Sequence, residues 1–351
     1  MGQLRRPGLR FAGIGMLVIA SLAAGCGLPA AGGGASAQRG TTRPADPPVI
    51  TVAAARRVLS GYAAAVSRAD KLRQTRLLAA AESGSSYQMD AGSYRFTRVS
   101  DPGNQGYQAL SVKDSALYIP RGPGPSAGEW WAATARWIRP LMPGSPPVPV
   151  LLVFTREAGG WRQVLEPGTL GPVPPPVTGL GGYGSAVSSG ARSLAVAPGE
   201  IPAATASYLN GLAVAGPLCP RPGLCRHVPA RTITLASPGS LPDVHDQAFW
   251  AGRLPSGSAD SDLHSVTQDP VYAISTQGGG ALVLYDLRAV LELAPPAGYT
   301  FRITIPGFYS AAVARTQATL TYADQFAAYD PPAGGGLPRV VAEAGGPVSA
   351  G

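Results

Sequence analysis

Residues 171–184 read GPVPPPVTGLGGYG, with four prolines and five glycines in fourteen positions. Proline lacks the backbone N–H that helices and sheet ladders need, and glycine weakens both, so this composition interrupts regular structure. How the interruption is read decides the fold. Read as a linker over 171–190, it divides the chain into two domains, 49–170 and 191–345, with a flexible tail at 346–351.

The two flanks support that division. Upstream, TVAAARRVLSGYAAAVSRAD (Thr51–Asp70) places Val58, Leu59, Tyr62 and Val66 at helical spacing, with Arg56, Arg57 and Arg68 off the stripe. KLRQTRLLAAAES (Lys71–Ser83) reads as a second short helix, capped by Asp70 and stopped at Gly84. Beyond it the spacing becomes that of strands, in ALSVKDSALYI (109–119), WWAATARWI (130–138) and VLLVFTREAGGWRQVLE (150–166), the last a hairpin turning at Gly159 and Gly160. Downstream, GEIPAATASYLNG (199–211) reads as a helix, and LPDVHDQAFWAG (241–252) as a helical turn. Strand-like runs follow in VYAIST (271–276), ALVLYDLRAVLEL (281–293), YTFRITI (299–305), QATLTYADQFAAY (317–329) and PRVVAEA (338–344), with a glycine turn at TQGGGA (276–281). Each half runs helix first and antiparallel strands afterwards. The expectation is an α+β class with two domains, helices covering one face of a curved antiparallel sheet in each.

The beginning of the chain gives an address. Met1–Arg10 carries Arg5, Arg6 and Arg10 without an acid, and Phe11–Ala24 is an apolar stretch of fourteen, the charge-then-apolar order of an export signal. It is too short to span a bilayer, which takes about 20 apolar residues. Ala23, Ala24 and Gly25 lead into Cys26, one of three cysteines. This arrangement resembles the lipobox of bacterial lipoproteins, with Ala23 where that pattern usually has leucine; Arg5 and Arg6 leave the twin-arginine route open. The resemblance implies a signal peptide over 1–25, cleavage before Cys26, and acylation of its sulfur, palmitate included, so that membrane lipid is the first partner. Residues 26–48 carry almost no large apolar side chain and read as a disordered tether holding the folded part clear of the membrane.

Without the leader the chain holds 25 Lys and Arg against 20 Asp and Glu, net +5, which is not a nucleic-acid-binding charge density. The charge is uneven, since residues 48–170 carry 14 cations against 8 anions and 191–345 carry 9 against 11. Arg56, Arg57, Arg68, Lys71, Arg73 and Arg76 crowd the segment nearest the tether, a candidate membrane-facing basic patch, where each cation near an anionic surface contributes about 1 kcal/mol. Cys219 and Cys225, in CPRPGLC, are an even pair in an exported chain and read as a disulfide staple closing a tight loop. Further along, the lipobox region, ASYLNG (206–211), the glycine turn before ALVLYDL and YADQFAAYDPPAGG (322–335) resemble actinobacterial surface lipoproteins of uncharacterised function, and with them the cone-shaped fold of nuclear transport factor 2 and its relatives. That resemblance implies no activity.

No motif for an activated nucleophile, a zinc protease, a phosphate loop or a penicillin-recognising serine occurs. GLGGYG follows prolines rather than a strand, so it is not a dinucleotide fingerprint. The three histidines are His227, His245 and His264; DVHD (Asp243–Asp246) brackets His245 with carboxylates, read mainly as helix capping by Asp243 and solvent-facing polar groups. Paired carboxylates could serve glycoside cleavage, but spacing alone cannot pair them. Trp131 and Trp137 fall on one face of a strand and Trp130 on the other, either core or a ligand platform. No metal or cofactor is expected. The resulting expectation is a lipid-anchored protein on the extracytoplasmic face of the cell membrane. It is read as a non-catalytic binding or scaffolding module that meets envelope proteins or anionic envelope polymers, or alternatively as a small-ligand carrier or enzyme with a pocket in a cone-shaped domain. An enclosed cavity containing a histidine and a carboxylate in contact favours the enzyme, and two filled cores favour the scaffold.

Overall fold

A computed structural model of the chain describes residues 46–122, 128–138, 147–179, 181–212, 231–234, 254, 258–310 and 312–351. Cys26, Cys219, Cys225, His227 and the 243–246 stretch with His245 lie outside these residues, as do the leader and nearly all of the tether.

The first helix, α1 (Val52–Leu72), forms where the apolar stripe predicts it. Thr51 caps it by accepting the Ala54 N–H at 3.2 Å, and Leu59, Tyr62 and Val66 form its buried face. It ends at Arg73 in a left-handed conformation, φ 47°. The second helix is only one turn, α2 (Thr75–Leu78), and Gly84 does not stop it. Gly84 instead opens a third helix, α3 (Gly84–Ser100), where no helix is expected from the sequence. The buried face of α3 is made of small or polar residues, Ser85, Ser86, Ala91 and Gly92, together with Tyr94 and Phe96, so it carries no apolar stripe to read.

Strands then dominate: β1 (Ser111–Tyr118), β2 (Pro120–Arg121), β3 (Trp130–Ile138), β4 (Val148–Glu157), β5 (Gly160–Leu165), β6 (Gly168–Thr169) and β7 (Gly184–Ser185). After helix α4 (Ile201–Leu212) come β8 (Arg231–Thr234), β9 (Ala259–Val266), β10 (Tyr272–Ser275), β11 (Ala281–Ala294), β12 (Tyr299–Arg302), β13 (Ala318–Asp330) and β14 (Arg339–Ala350). Ten of the strands form one antiparallel sheet, ordered β1-β3-β4-β6-β14-β13-β11-β10, with β5 beside β4 and β9 beside β11.

This sheet overturns the two-domain α+β expectation. The expected halves meet at β6, whose Gly168 and Thr169 pair with Glu343 and Ala342 of β14. They also share a core, in which Trp130, Leu151 and Val153 from the first half pack with Tyr272, Ile274, Leu282 and Leu284 from the second. The Trp130 and Tyr272 rings are 5.3 Å apart. The molecule is therefore mainly antiparallel sheet, and the described residues form one compact unit. The 171–190 stretch is stitched to that sheet: Val177 N–H donates to the Ser275 carbonyl at 3.0 Å, Gly184 N–H to Ile119 at 2.8 Å and Val187 N–H to Ala273 at 2.8 Å. A proline-rich strip can run along a sheet edge because the edge asks only alternate residues for an N–H. Residues 346–350 are likewise not a tail but the end of β14, with Ala350 opposite Leu320.

Over one face of β3 and β4, α1 seals Trp131, Leu152 and Phe154, and α4 covers Val283, Tyr285 and Phe326 on β11 and β13. Helix α3 lies across β14 so closely that a Cβ on Gly92 would fall 1.8 Å from the Pro347 carbonyl oxygen. Gly61, in the middle of α1, has nothing within 4 Å of its would-be Cβ. The two positions therefore respond to alanine with opposite signs. Gly61→Ala is expected to stabilise by about 0.5–1 kcal/mol, whereas Gly92→Ala must displace backbone and is expected to destabilise by about 1–3 kcal/mol; chemical denaturation of the two variants checks both.

Candidate functional site

Between α1, α3 and the sheet lies a cleft of about 530 Å³ whose lining is polar. Its floor is built from carboxyl groups that arrive from separate elements. Glu82 stands just before α3, 2% exposed; Asp90 is on α3; Asp70 is near the end of α1; Glu166 follows β5. On α3 the residues Ser86, Asp90, Ser93 and Thr97 follow helical spacing and all line the cleft. In a sequence such a polar stripe reads as a solvent face, and here it faces an internal one.

Tyr62 ties the floor together. Its hydroxyl donates to Glu82 Oε1 at 2.8 Å and lies 3.1 Å from Glu166 Oε2. A phenol has one proton, so both contacts are hydrogen bonds at once only if one carboxyl supplies a proton of its own. Trp137 Nε1 donates to the other Glu166 oxygen, and Tyr94 donates to Asp70 Oδ1 at 2.7 Å. Asp90 comes within hydrogen-bonding reach of Glu82, whose Oε2 receives no N–H or O–H donor. Burial, reinforced by Asp90, pushes the Glu82 carboxyl well above the usual carboxylate range. Burial and then Asp70 do the same to Asp90. Both shifts favour a proton held between the two carboxyls over two ionised carboxylates side by side. Burial, ahead of Glu82 and Glu166, also raises the Tyr62 phenol.

Behind the floor a buried amide fixes the geometry. Gln325 on β13 donates to Ser85 Oγ at 3.0 Å and Ser86 Oγ at 2.9 Å, and accepts the Glu166 backbone N–H at 2.7 Å. The rim is set by Arg73 and Asp101. Arg73, 7% exposed, reaches the Asp101 backbone carbonyl at 2.5 Å and its carboxylate at 3.4 Å. The Asp101 carboxylate also accepts the N–H groups of Gly106 and Gln105, which hold it below the ordinary carboxylate range. Asn104, in a left-handed conformation at φ 53°, donates to the carbonyls of Asp70 and Lys71 at the end of α1.

The residues singled out in the sequence fare differently. Arg73 does not belong to an exposed basic patch, because it is buried and paired; Arg56, Arg57, Arg68, Lys71 and Arg76 are exposed. The tryptophans are core rather than platform: Trp131 stacks on Phe154 with centroids 4.4 Å apart, Trp137 anchors Glu166, and Trp130 is buried on the opposite face. His264 on β9 meets a carboxylate, Nε2 lying 3.2 Å from Asp324 Oδ2, in a separate cleft of about 370 Å³ beside Asp262 and Tyr322. Burial lowers its pKa, but the Asp324 contact and the charges of Asp262 and Asp324 outweigh this, so the imidazole lies above its ordinary value. Asn210, from the ASYLNG stretch, accepts the His264 N–H at 2.7 Å and donates to its carbonyl at 2.9 Å, a side chain closing a strand edge. Among the described residues no group of three or more His, Cys, Asp or Glu is arranged to hold a metal ion, and no helix is long and apolar enough to cross a membrane.

A family model described as a domain of unknown function, DUF8094, matches residues 46–223, just over half of the chain, and the chain belongs to that family. No curated protein and no solved structure matches it.

The raised carboxyls fix a pH dependence. The Glu82 and Asp90 pair holds a proton in the fold to higher pH than an unfolded chain does, as does Asp286, pushed up to about 6 by burial and then by Asp269. Their stabilising effect is complete below the unfolded carboxylate values and is lost as pH rises through the folded ones. The melting temperature is expected to fall between about pH 5 and pH 8, and Glu82→Gln to flatten that fall; thermal melts across the range test it.

Proposed function

We propose that this chain is an extracytoplasmic lipoprotein, held to the outer face of the cell membrane through acylated Cys26, that binds a small polar ligand in the cleft between α1 and α3. The observation that carries the reading is the buried acceptor at its floor: Glu82 lines a cleft of about 530 Å³, and its buried Oε2 receives no hydrogen bond from a protein N–H or hydroxyl. A buried acceptor left unmade costs about 1–3 kcal/mol, and a fold retains that cost most readily where a ligand supplies the missing donor. A volume of this size suits a metabolite-sized molecule.

The anchor and the cleft complement each other. The two or three acyl chains of a bacterial lipoprotein make attachment effectively permanent. Confinement raises the effective concentration toward neighbours in the envelope, so modest affinity suffices. The exposed Arg56, Arg57, Arg68, Lys71 and Arg76 on α1 and α2 provide a positive face for an anionic surface.

Two measurements test this. Mass spectrometry of the native protein is expected to show a chain beginning at Cys26 with acyl mass on it; an intact leader or a free thiol there would sink the anchored reading. Trp137 touches the cleft floor and serves as the reporter for a screen of polar metabolites. At least one compound is expected to change tryptophan emission in the full chain, and to lose roughly tenfold or more in affinity when Asp90 is replaced by asparagine.

A further inference from the structure

Resting on that reading, we infer that the ligand of the α1–α3 cleft is an organic cation, bound through a primary ammonium group seated between Glu82 and Asp90. Glu82 is 2% exposed and its Oε2 accepts no hydrogen bond from the protein. The aromatic donors at the floor are already committed: Tyr62 to Glu82 Oε1, Trp137 to Glu166, and Tyr94 to Asp70. What the floor offers is therefore acceptor oxygen, crowded enough that the pair holds a proton in place of a cation. A primary ammonium brings up to three N–H donors and the charge the pair lacks. A polyol brings donors but no charge, and leaves the mutual repulsion of the carboxyls in place. The absence of any arrangement of three metal-ligating side chains among the described residues turns the choice from a metal ion to an organic cation. The rings of Tyr62, Tyr94 and Tyr107 line the same cleft, and aromatic faces favour cations. The one guanidinium there, Arg73, is taken up by Asp101 and does not compete for the floor.

Binding then exchanges a proton for a cation. The proton shared by Glu82 and Asp90 leaves to solvent, both carboxylates become ionised, and the ammonium donates to them. Facing the pair are Tyr62 and Asp70 from α1, Arg73 behind it, Tyr94 and Asp101 from α3 and its end, and Glu166 beyond β5. Three of these six are carboxyls and one is a cation, so the site favours positive charge, and the proton gives way to the ammonium more readily as pH rises.

The experiment is titration calorimetry on the full chain in detergent with 1,4-diaminobutane, and with 1,4-butanediol as the neutral molecule of the same length. Buffers of different ionisation enthalpy count the protons released. The diamine is expected to bind, to release about one proton per site near pH 7, and to tighten by roughly a hundredfold from pH 5.5 to pH 7.5, while the diol does not bind. Glu82→Gln and Asp90→Asn, each checked for a retained melting transition, are expected to weaken the diamine by roughly tenfold or more. Equal binding of the diol, binding without proton release, or indifference to both variants overturns the cation assignment. If the diamine fails while a neutral compound changes the Trp137 signal, the assignment falls and the cleft remains a binding site. If nothing in the screen or the titration binds, both fall.

Discussion

The amide of Gln325 is the joint on which the rest of the molecule is arranged. It is 1% exposed, sits in the middle of β13, and satisfies three partners from the other half of the chain: the hydroxyls of Ser85 and Ser86 on α3 and the backbone N–H of Glu166. A buried amide that loses a partner is left with a donor or acceptor that water cannot reach. That penalty fixes where α3 lies on the sheet more narrowly than apolar packing could, because the helix brings mostly small side chains to the contact. Once α3 is placed there, Asp90 meets Glu82 and the cleft has its floor.

Much of the local structure was legible, and its assembly was not. The stripe of Leu59, Tyr62 and Val66, and the alternation that puts Trp131 and Trp137 on one face with Trp130 on the other, are properties of single segments and came through intact. The turns at Gly159–Gly160 and at TQGGGA also lie where the sequence places them, between β4 and β5 and between β10 and β11. The domain count failed because the union of the halves depends on β6, two residues long, and on an α3 whose inward side is serine, glycine and aspartate. Neither leaves a periodic signal. The proline strip misled for a related reason, since the segment holds to β10 and the Ile119 carbonyl through the N–H groups of Val177, Gly184 and Val187, none of them a proline position.

The same physics hid the site. Glu82, Asp90 and Glu166 stand in unrelated stretches, and a carboxylate in a sequence is ordinarily a solvated one. Arg73 looked like one more cation in a basic helix, yet it is the residue at which α1 turns left-handed, and that turn delivers its guanidinium to Asp101 instead of to solvent. The clue that did exist is the row Ser86, Asp90, Ser93, Thr97: a polar stripe on a helix that has no apolar stripe opposite it must face either water on every side or a polar cavity.

A carboxyl pair such as buried Glu82 and half-buried Asp90 can be reconciled with folding in two ways, by a resident cation or by a proton. The neighbours acting on Glu82 and Asp90 are other carboxyls and the Tyr62 phenol, with no cation among them. Arg73 lines the same cleft and would supply the countercharge, but the fold spends it on the rim. Placing that guanidinium at the floor would close the pair permanently, as in an ordinary buried ion pair, and leave nothing for a ligand to replace. Holding the two acids with a mobile proton keeps the floor reversible. On the proposed reading, that leaves the negative end of the cleft available to a group that carries the missing charge.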